Sequence, residues 1–252
     1  MTPGSAQSVQ VQFLGSGDAF GSGGRFQTCI AVTAGPHRVL IDCGASSMVA
    51  LKRFGIDPNS VAAVLLTHLH GDHFGGLPFF ILDAQLHARR TTPLLIGGPP
   101  GTAERLHAAM EAFFPRSTEV QRKFDVRHVE WQPGRRIEVG PAAVTPFPVV
   151  HGSGAPPFAL RVELGGRTVA YSGDTEWVPS LPEAAREADL FICECLMFDK
   201  TVKFHLDYRT VQAHAAELTA KRLIFTHMGP EMLAEAARLQ VETAEDGKIV
   251  DL

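Results

Sequence analysis

Thr67-His68-Leu69-His70-Gly71-Asp72-His73 packs three imidazoles and a carboxylate into the six positions from 68 to 73. The cluster follows an apolar run, Val61-Ala62-Ala63-Val64-Leu65-Leu66, and precedes Phe74-Gly75-Gly76-Leu77-Pro78. A short apolar run closed by Gly and Pro reads as a buried strand, which puts the cluster in a loop at its carboxyl end. Open α/β sheets place their ligands there.

Alternate residues of an extended segment point the same way, so His68 and His70 converge on one metal ion while the chain turns at Gly71. Asp72 and His73 then face the other side of the turn, toward a second ion. Imidazole nitrogen and carboxylate oxygen are the ligands of a catalytic Zn²⁺ site, which keeps an open position for water. The competing reading is a surface turn that happens to be polar. Three histidines after an apolar strand are far from ordinary loop composition.

His-x-His-x-Asp-His resembles the signature of the metallo-β-lactamase superfamily, binuclear metallohydrolases of αββα fold. The resemblance implies an α/β fold, a four-layer αββα sandwich, as one domain over residues 1–252. It also implies a lone His, an Asp after a strand and a His near the C-terminus. His151 follows Phe147-Pro148-Val149-Val150, Asp174 sits in Tyr171-Ser172-Gly173-Asp174-Thr175, and His227 ends Leu223-Ile224-Phe225-Thr226-His227. By that resemblance His68, His70, Asp72, His73, His151, Asp174 and His227 ligate two divalent ions, with Asp174 bridging both. Zn²⁺ is expected first, and the donor set also suits Mn²⁺ and Fe. Without the first motif, a lone His would read as a hydrogen-bonded structural imidazole.

At 252 residues and 45% apolar content the chain can bury a substantial core undivided. No linker-like Pro/Ser/Gly stretch or long charge block interrupts it. Met1 to Ser8 shows neither a basic start nor an apolar core, and no run approaches membrane-spanning length. The expectation is a soluble cytoplasmic protein with no membrane partner, with a homodimer left open. Cys29, Cys43, Cys193 and Cys195 lie in apolar strand-like contexts rather than a disulfide framework. Cys193 and Cys195 share a strand face, but nothing is spaced to complete a tetrahedral metal site with them.

The pattern divides into two strand-rich halves with helices over them. Val9 to Gly15 opens the first, followed by a Gly-rich turn through Gly24 and a hairpin, Cys29 to Thr33 and Arg38 to Asp42, joined at Gly35-Pro36. A helix is expected over Ser46 to Phe54, a strand at Leu94-Leu95-Ile96, and a helix over Ala103 to Phe114 with Thr102 as N-cap. The second half holds short strands between Phe124 and Asp174, broken at Pro133-Gly134, Gly140-Pro141 and Gly165-Gly166. Leu190 to Cys193 and Leu223 to Thr226 are strands flanking one helix. No internal repeat of useful period is visible.

Within the superfamily the chain is similar to ribonuclease Z and its small phosphodiesterase relatives. Phe13-Leu14-Gly15-Ser16-Gly17-Asp18-Ala19-Phe20-Gly21-Ser22-Gly23-Gly24-Arg25 resembles that branch's Gly-rich opening, and Gly98-Pro99-Pro100-Gly101-Thr102 its Gly-Pro-x-Gly-Thr turn. The stretch from Glu194 to His227 resembles the branch's acidic strand end, His-Leu before a helix, and strand ending in Thr-His. Asp207 is placed to cap the helix running through Ala213, Ala216 and Leu218. His205 would then face the cleft, and the resemblance makes it the acid that protonates the leaving oxygen of a phosphodiester. An exposed or capping His is the alternative.

The implied mechanism uses two ions to lower the pKa of a bridging water and to neutralise phosphoryl charge. Asp72 is expected to act both as ligand to the second ion and as catalytic partner to that water. Ribonuclease Z usually carries a long basic arm between the ligands matching His151 and Asp174, or elsewhere in the chain in some members, yet only Gly152 to Gly173 separates the two here, without a Lys cluster. A net charge of −4 gives no bulk attraction to nucleic acid. Arg89-Arg90, Arg122-Lys123 and Arg135-Arg136 read as solvated faces. Lys200 and Lys203, beside His205, are the candidates for touching an anionic substrate.

The expected function is therefore metal-dependent hydrolysis of a phosphodiester, small or nucleic-acid-derived, with a small ester favoured over tRNA. The alternatives are a tRNA 3′ endonuclease, a lactonase or thioesterase, an iron-dependent sulfur dioxygenase, and a metal-binding protein without turnover. His37, His87, His107, His128 and His214 carry no matching context.

Overall fold

The structure is a computed structural model and describes residues 8–252; Met1 to Gln7, part of the segment read above as lacking a leader, lie outside the described residues. The first sheet contains β1 (Val9–Gly15), β2 (Cys29–Ala34), β3 (His37–Ile41), β4 (Val61–Leu65), β5 (Leu94–Gly98) and β6 (Val126–Glu130). The second contains β7 (Ile137–Val139), β8 (Ala142–Pro148), β9 (Phe158–Leu164), β10 (Arg167–Tyr171), β11 (Leu190–Glu194) and β12 (Leu223–Thr226). The last strand, β13 (Ile249–Asp251), returns to the first sheet and pairs antiparallel with β1. The strand orders are β13-β1-β2-β3-β4-β5-β6 and β12-β11-β10-β9-β8-β7. Each sheet is antiparallel at first and parallel at the end, with β3 to β6 parallel in one and β10 to β12 in the other.

Helices α1 (Ser47–Arg53), α2 (Gly71–Phe74), α3 (Leu77–Leu86) and α4 (Thr102–Phe113) belong to the first half. Helices α5 (Ser180–Ala185), α6 (Tyr208–Ala213) and α7 (Pro230–Ala236) belong to the second. Period-two side-chain alternation in the strands sorts the apolar residues into three cores. Val9, Val11, Phe13, Val39 and Ile41 face Phe158, Leu160, Val162, Val169 and Ile192 between the sheets. Leu14, Ala31, Leu40, Val64 and Leu66 pack outward on Leu51, Phe80, Ile81 and Leu106 of the first helical layer. Ala170, Phe191 and Cys193 pack outward on Leu181, Val211 and Met232 of the second. Three cores separate four layers, the αββα sandwich expected from the sequence.

Several expectations are corrected. Helix α3 occupies a stretch whose continuation beyond Pro78 carried no helical signal. Leu77, Pro78, Phe80, Ile81 and Ala84 are buried and the exposed Phe79 and Leu86 are apolar too, so the helix has no polar face to create a 3.6-residue period. Thr102 is the first residue of α4 and not its cap. Gly101 holds the N-cap position at φ 87°, and the Thr102 hydroxyl donates back to the Pro99 carbonyl at 2.6 Å. The helix after Asp207 stops at Ala213, and a 3₁₀ turn over Ala215–Glu217 follows. Strand β6 joins the first sheet although it lies in the sequence segment assigned to the second half. Arg90 is no solvated surface group: it is buried and donates to the carbonyls of Pro58, Val61, Thr92 and Pro93.

The four cysteines are buried free thiols, and Cys193 and Cys195 share the outer core. No helix among the described residues is long and apolar enough to cross a membrane.

Candidate metal centre

Six strand ends meet at one side of the sandwich. Asp42 follows β3, His68 follows β4, His151 follows β8, Asp174 follows β10, Glu194 ends β11 and His227 follows β12. Asp42 and His227 both adopt left-handed backbone, at φ 58° and 55°. Such conformations cost a non-glycine residue about 1 kcal/mol or more and tend to occur where a side chain must be aimed. Here they turn the chain sharply after β3, an inner strand of the first sheet, and after β12, the edge strand of the second.

The cluster is built as two adjoining donor sets. His68, His70 and His151 bring three ring nitrogens together, and Asp72, His73, Asp174 and His227 form the second group. Asp174 lies between them. Its Oδ2 is 3.9 Å from both His68 Nε2 and His151 Nε2 and 3.5 Å from His227 Nε2, while its Oδ1 is 3.3 Å from His73 Nε2. Asp72 Oδ2 lies 3.3 Å from both His73 Nε2 and His227 Nε2. His68 and His70 of the first motif fall in the first group, Asp72 and His73 in the second. The turn that divides them is α2, one helical turn beginning at Gly71.

The geometry is supported from behind. Asp42, fully buried, accepts from the Thr67 amide and hydroxyl at 2.8 Å each, and its Oδ2 is 2.7 Å from His73 Nδ1. The Thr67 hydroxyl in turn lies 3.1 Å from His68 Nδ1. One carboxylate thus orients an imidazole in each donor set. His151 Nδ1 donates to the Phe204 carbonyl at 2.9 Å. Asp42 was part of a hairpin strand in the sequence reading and had no assigned role; its position directly after an apolar strand was the available signal.

The charges explain the pKa directions. Burial opposes protonation of His73, but Asp174, Asp72 and Asp42 outweigh it and hold the imidazole well above its ordinary value. His227 is likewise buried, and chiefly Asp174 and Asp72 raise it to about 9. Asp72 and Asp174 stay ionised, since nearby imidazolium charge outweighs their burial. His68 and His151 are lowered, first by burial. The two sets therefore differ: one collects positive charge on His73 and His227, while in the other burial keeps His68 and His151 neutral.

These residues suit metal ions. Buried His68 Nε2 has no hydrogen-bond partner, and His73 Nε2 and Asp174 Oδ1, 3.3 Å apart, make no well-aligned hydrogen bond, an arrangement a cation would satisfy. Imidazoles with two carboxylates also form a borderline nitrogen and oxygen donor set.

Beside the centre is a cavity of about 250 Å³ lined by Asp18, Ala19, Phe20, His70, Asp72, His151, Asp174, Leu196, His205 and His227. His205 Nδ1 is 3.0 Å from Glu194 Oε2, leaving Nε2 as its free nitrogen. Burial works against charge on His205, yet the Glu194 carboxylate raises its pKa. Glu194 is buried and also accepts from the Thr175 amide. Asp207 caps α6, its Oδ1 accepting from the Thr210 amide at 2.8 Å, as the sequence suggested. Lys200 and Lys203 do not line this cavity. Lys203 Nζ lies 4.6 Å over the Phe204 ring and borders a neighbouring cavity with Glu176, Trp177 and His205, while Lys200 is exposed.

The family profile described as Beta-lactamase superfamily domain matches residues 37–228. The chain belongs to that superfamily. It is 32% identical over 216 residues to uncharacterized protein ML1173 of Mycobacterium leprae (strain TN), covering 84% of this chain and 74% of that one. It is 28% identical over 246 residues to a protein named Ribonuclease Z from Mycobacterium marinum (strain ATCC BAA-535 / M), covering 90% and 88%. The structure is similar to that of the short form of human tRNase Z, with a TM-score of 0.78 at 25% identity over 96% of this chain and 98% of that one. The superfamily membership and these likenesses make the chain a metallo-β-lactamase-fold hydrolase with clusters suited to metal ions.

Proposed function

We propose that this superfamily member is a binuclear metal-dependent phosphodiesterase acting on a small phosphodiester. The observation that carries the reading is His205 at the cavity wall, its Nδ1 on buried Glu194 and its Nε2 free. An ester with a poor leaving group needs a proton delivered to the departing oxygen, and a carboxylate-backed imidazole beside the metal ligands supplies one.

His68, His70 and His151 would hold one ion, Asp72, His73 and His227 the other, and Asp174 would bind both. The bound ions, Zn²⁺ by donor type, would provide Lewis acidity toward water and the phosphoryl oxygens. Asp72 keeps an ionised carboxylate at the cavity wall to accept from and align the attacking water. His205 Nε2 protonates the leaving oxygen, and Glu194 stabilises the imidazolium and fixes its ring.

Ribonuclease Z activity is the second reading, favoured by the M. marinum and human likenesses. Against it, residues 158–171 between His151 and Asp174 form a plain hairpin, β9 and β10, turning at Gly165-Gly166. The net charge of −4 adds no attraction for tRNA. The test is turnover by the metal-loaded protein of a phosphodiester beside a lactone, a thioester and a precursor tRNA. Preference for the small phosphodiester is expected; preference for the lactone or thioester would overturn the proposal.

A further inference from the structure

Phe20 is 94% exposed, yet the backbone that presents it is tied down. Asp18, itself buried, accepts through Oδ1 from the amides of Phe20 and Ser22 at 3.3 and 2.8 Å, and through Oδ2 from the Ser22 hydroxyl at 2.6 Å. The Gly21 amide donates to the Asp18 carbonyl at 3.2 Å, and Gly21 takes the left-handed conformation the tight turn requires, at φ 69°. Gln27 Nε2 donates to the Ala19 carbonyl at 2.9 Å. A buried carboxylate and a left-handed glycine therefore hold an aromatic ring in water with both faces open. Asp18, Ala19 and Phe20 line the same cavity as the metal-ligand candidates and His205.

We infer that Phe20 is the platform on which a planar aromatic substituent of the phosphodiester, a nucleobase or an aryl group, stacks while the phosphate occupies the metal centre. This rests on the phosphodiesterase reading for the phosphate end only. A large exposed apolar side chain on a pre-set turn at a cavity mouth gains by covering its ring, and little ordering entropy is lost when the turn is already fixed. Rings favour planar partners, and nucleobase stacking on an aromatic side chain tolerates any base. Ala19 and Leu196 continue the apolar wall, so contact beyond the phosphate is made through ring faces and methyl groups rather than hydrogen bonds.

The test uses the metal-loaded full chain and matched probes. Calorimetry compares adenosine 5′-monophosphate with ribose 5-phosphate, and hydrolysis compares the methyl ester of each with methyl phenyl phosphate. Wild type is expected to favour the adenosine ligand and ester over the ribose pair by about five- to hundredfold, and Phe20→Ala to erase that preference while Phe20→Trp keeps it. Preference for the phenyl over the ribose ester that Phe20→Ala diminishes, without one for adenosine, would assign the platform to aryl groups. Equal losses on all three esters in Phe20→Ala, or a preference surviving intact in Phe20→Ala or Phe20→Leu, would overturn the inference. Base-selective, Phe20-dependent binding without hydrolysis of any ester would sink the phosphodiesterase reading alone. Hydrolysis without selectivity for any ring would sink the Phe20 inference alone.

Discussion

Removing the imidazole of His205 separates proton delivery from every other function of the site. If His205 Nε2 protonates the leaving oxygen, the loss in His205→Ala depends on how badly that oxygen needs a proton. General acid catalysis contributes about 10²- to 10⁴-fold, and that range is the expected drop in kcat on an alkyl phosphodiester. On a p-nitrophenyl ester, whose phenolate leaves unassisted, the drop should be less than about tenfold. Glu194→Gln keeps the ring and removes the charge. The Nδ1 to Oε2 contact at 3.0 Å is a charge-assisted hydrogen bond, worth about 1.5 to 3 kcal/mol or 10- to 150-fold. The Gln carbonyl can still accept from Thr175, but the amide nitrogen then faces Nδ1 and opposes its protonation. Steady-state kinetics on both ester types, with metal content measured on each variant, checks this. Equal losses on the alkyl and p-nitrophenyl esters at full metal occupancy would refute the role of acid.

Three other outcomes follow from the same structure. Asp42→Asn removes the charge that orients His73 and, through Thr67, His68, so metal affinity measured by chelator competition should fall about 10- to 100-fold. Metal uptake must displace the protons that neighbouring carboxylates hold on His73 and His227, both raised above their ordinary values. Affinity should therefore climb with pH toward about 9, the value for His227, and proton release should accompany binding in weakly buffered titrations. Gly97→Ala would drive a methyl group into the Trp131 ring, which is anchored by its Nε1 donating to the Leu66 carbonyl at 2.7 Å. Overpacking of this kind costs about 1 to 3 kcal/mol, to be read from the midpoint of chemical denaturation.

Much of this was legible because the residues that build the centre sit directly after apolar strands, where a one-dimensional pattern shows both the strand and its polar end. His68 to His73, His151, Asp174 and His227 carry that mark, whereas His205 was marked by its place in a His-Leu pair before a helix. Asp42 carries it too, but a single carboxylate after a strand is common and only its contacts with Thr67 and His73 reveal its task. Helix α3 was hidden because apolar residues lie on its buried and its exposed sides alike, Phe79 and Leu86 among the latter, which erases periodicity. The pairing of β13 with β1 spans nearly the whole chain, so no local pattern could announce it. Lys200 and Lys203 were judged by proximity in sequence to His205, whereas Lys203 borders a neighbouring cavity and Lys200 is exposed. Phe20 appeared only as one letter of a glycine-rich turn; its exposure is a property of the folded mouth.

The most direct measurement is phosphodiester turnover by the metal-stripped protein as Zn²⁺ is added back in known equivalents, with bound metal counted on the same samples. A binuclear phosphodiesterase predicts activity that rises until two ions are bound per chain and is then flat. Full activity at one ion per chain, or two bound ions with no phosphodiester turnover, would contradict it.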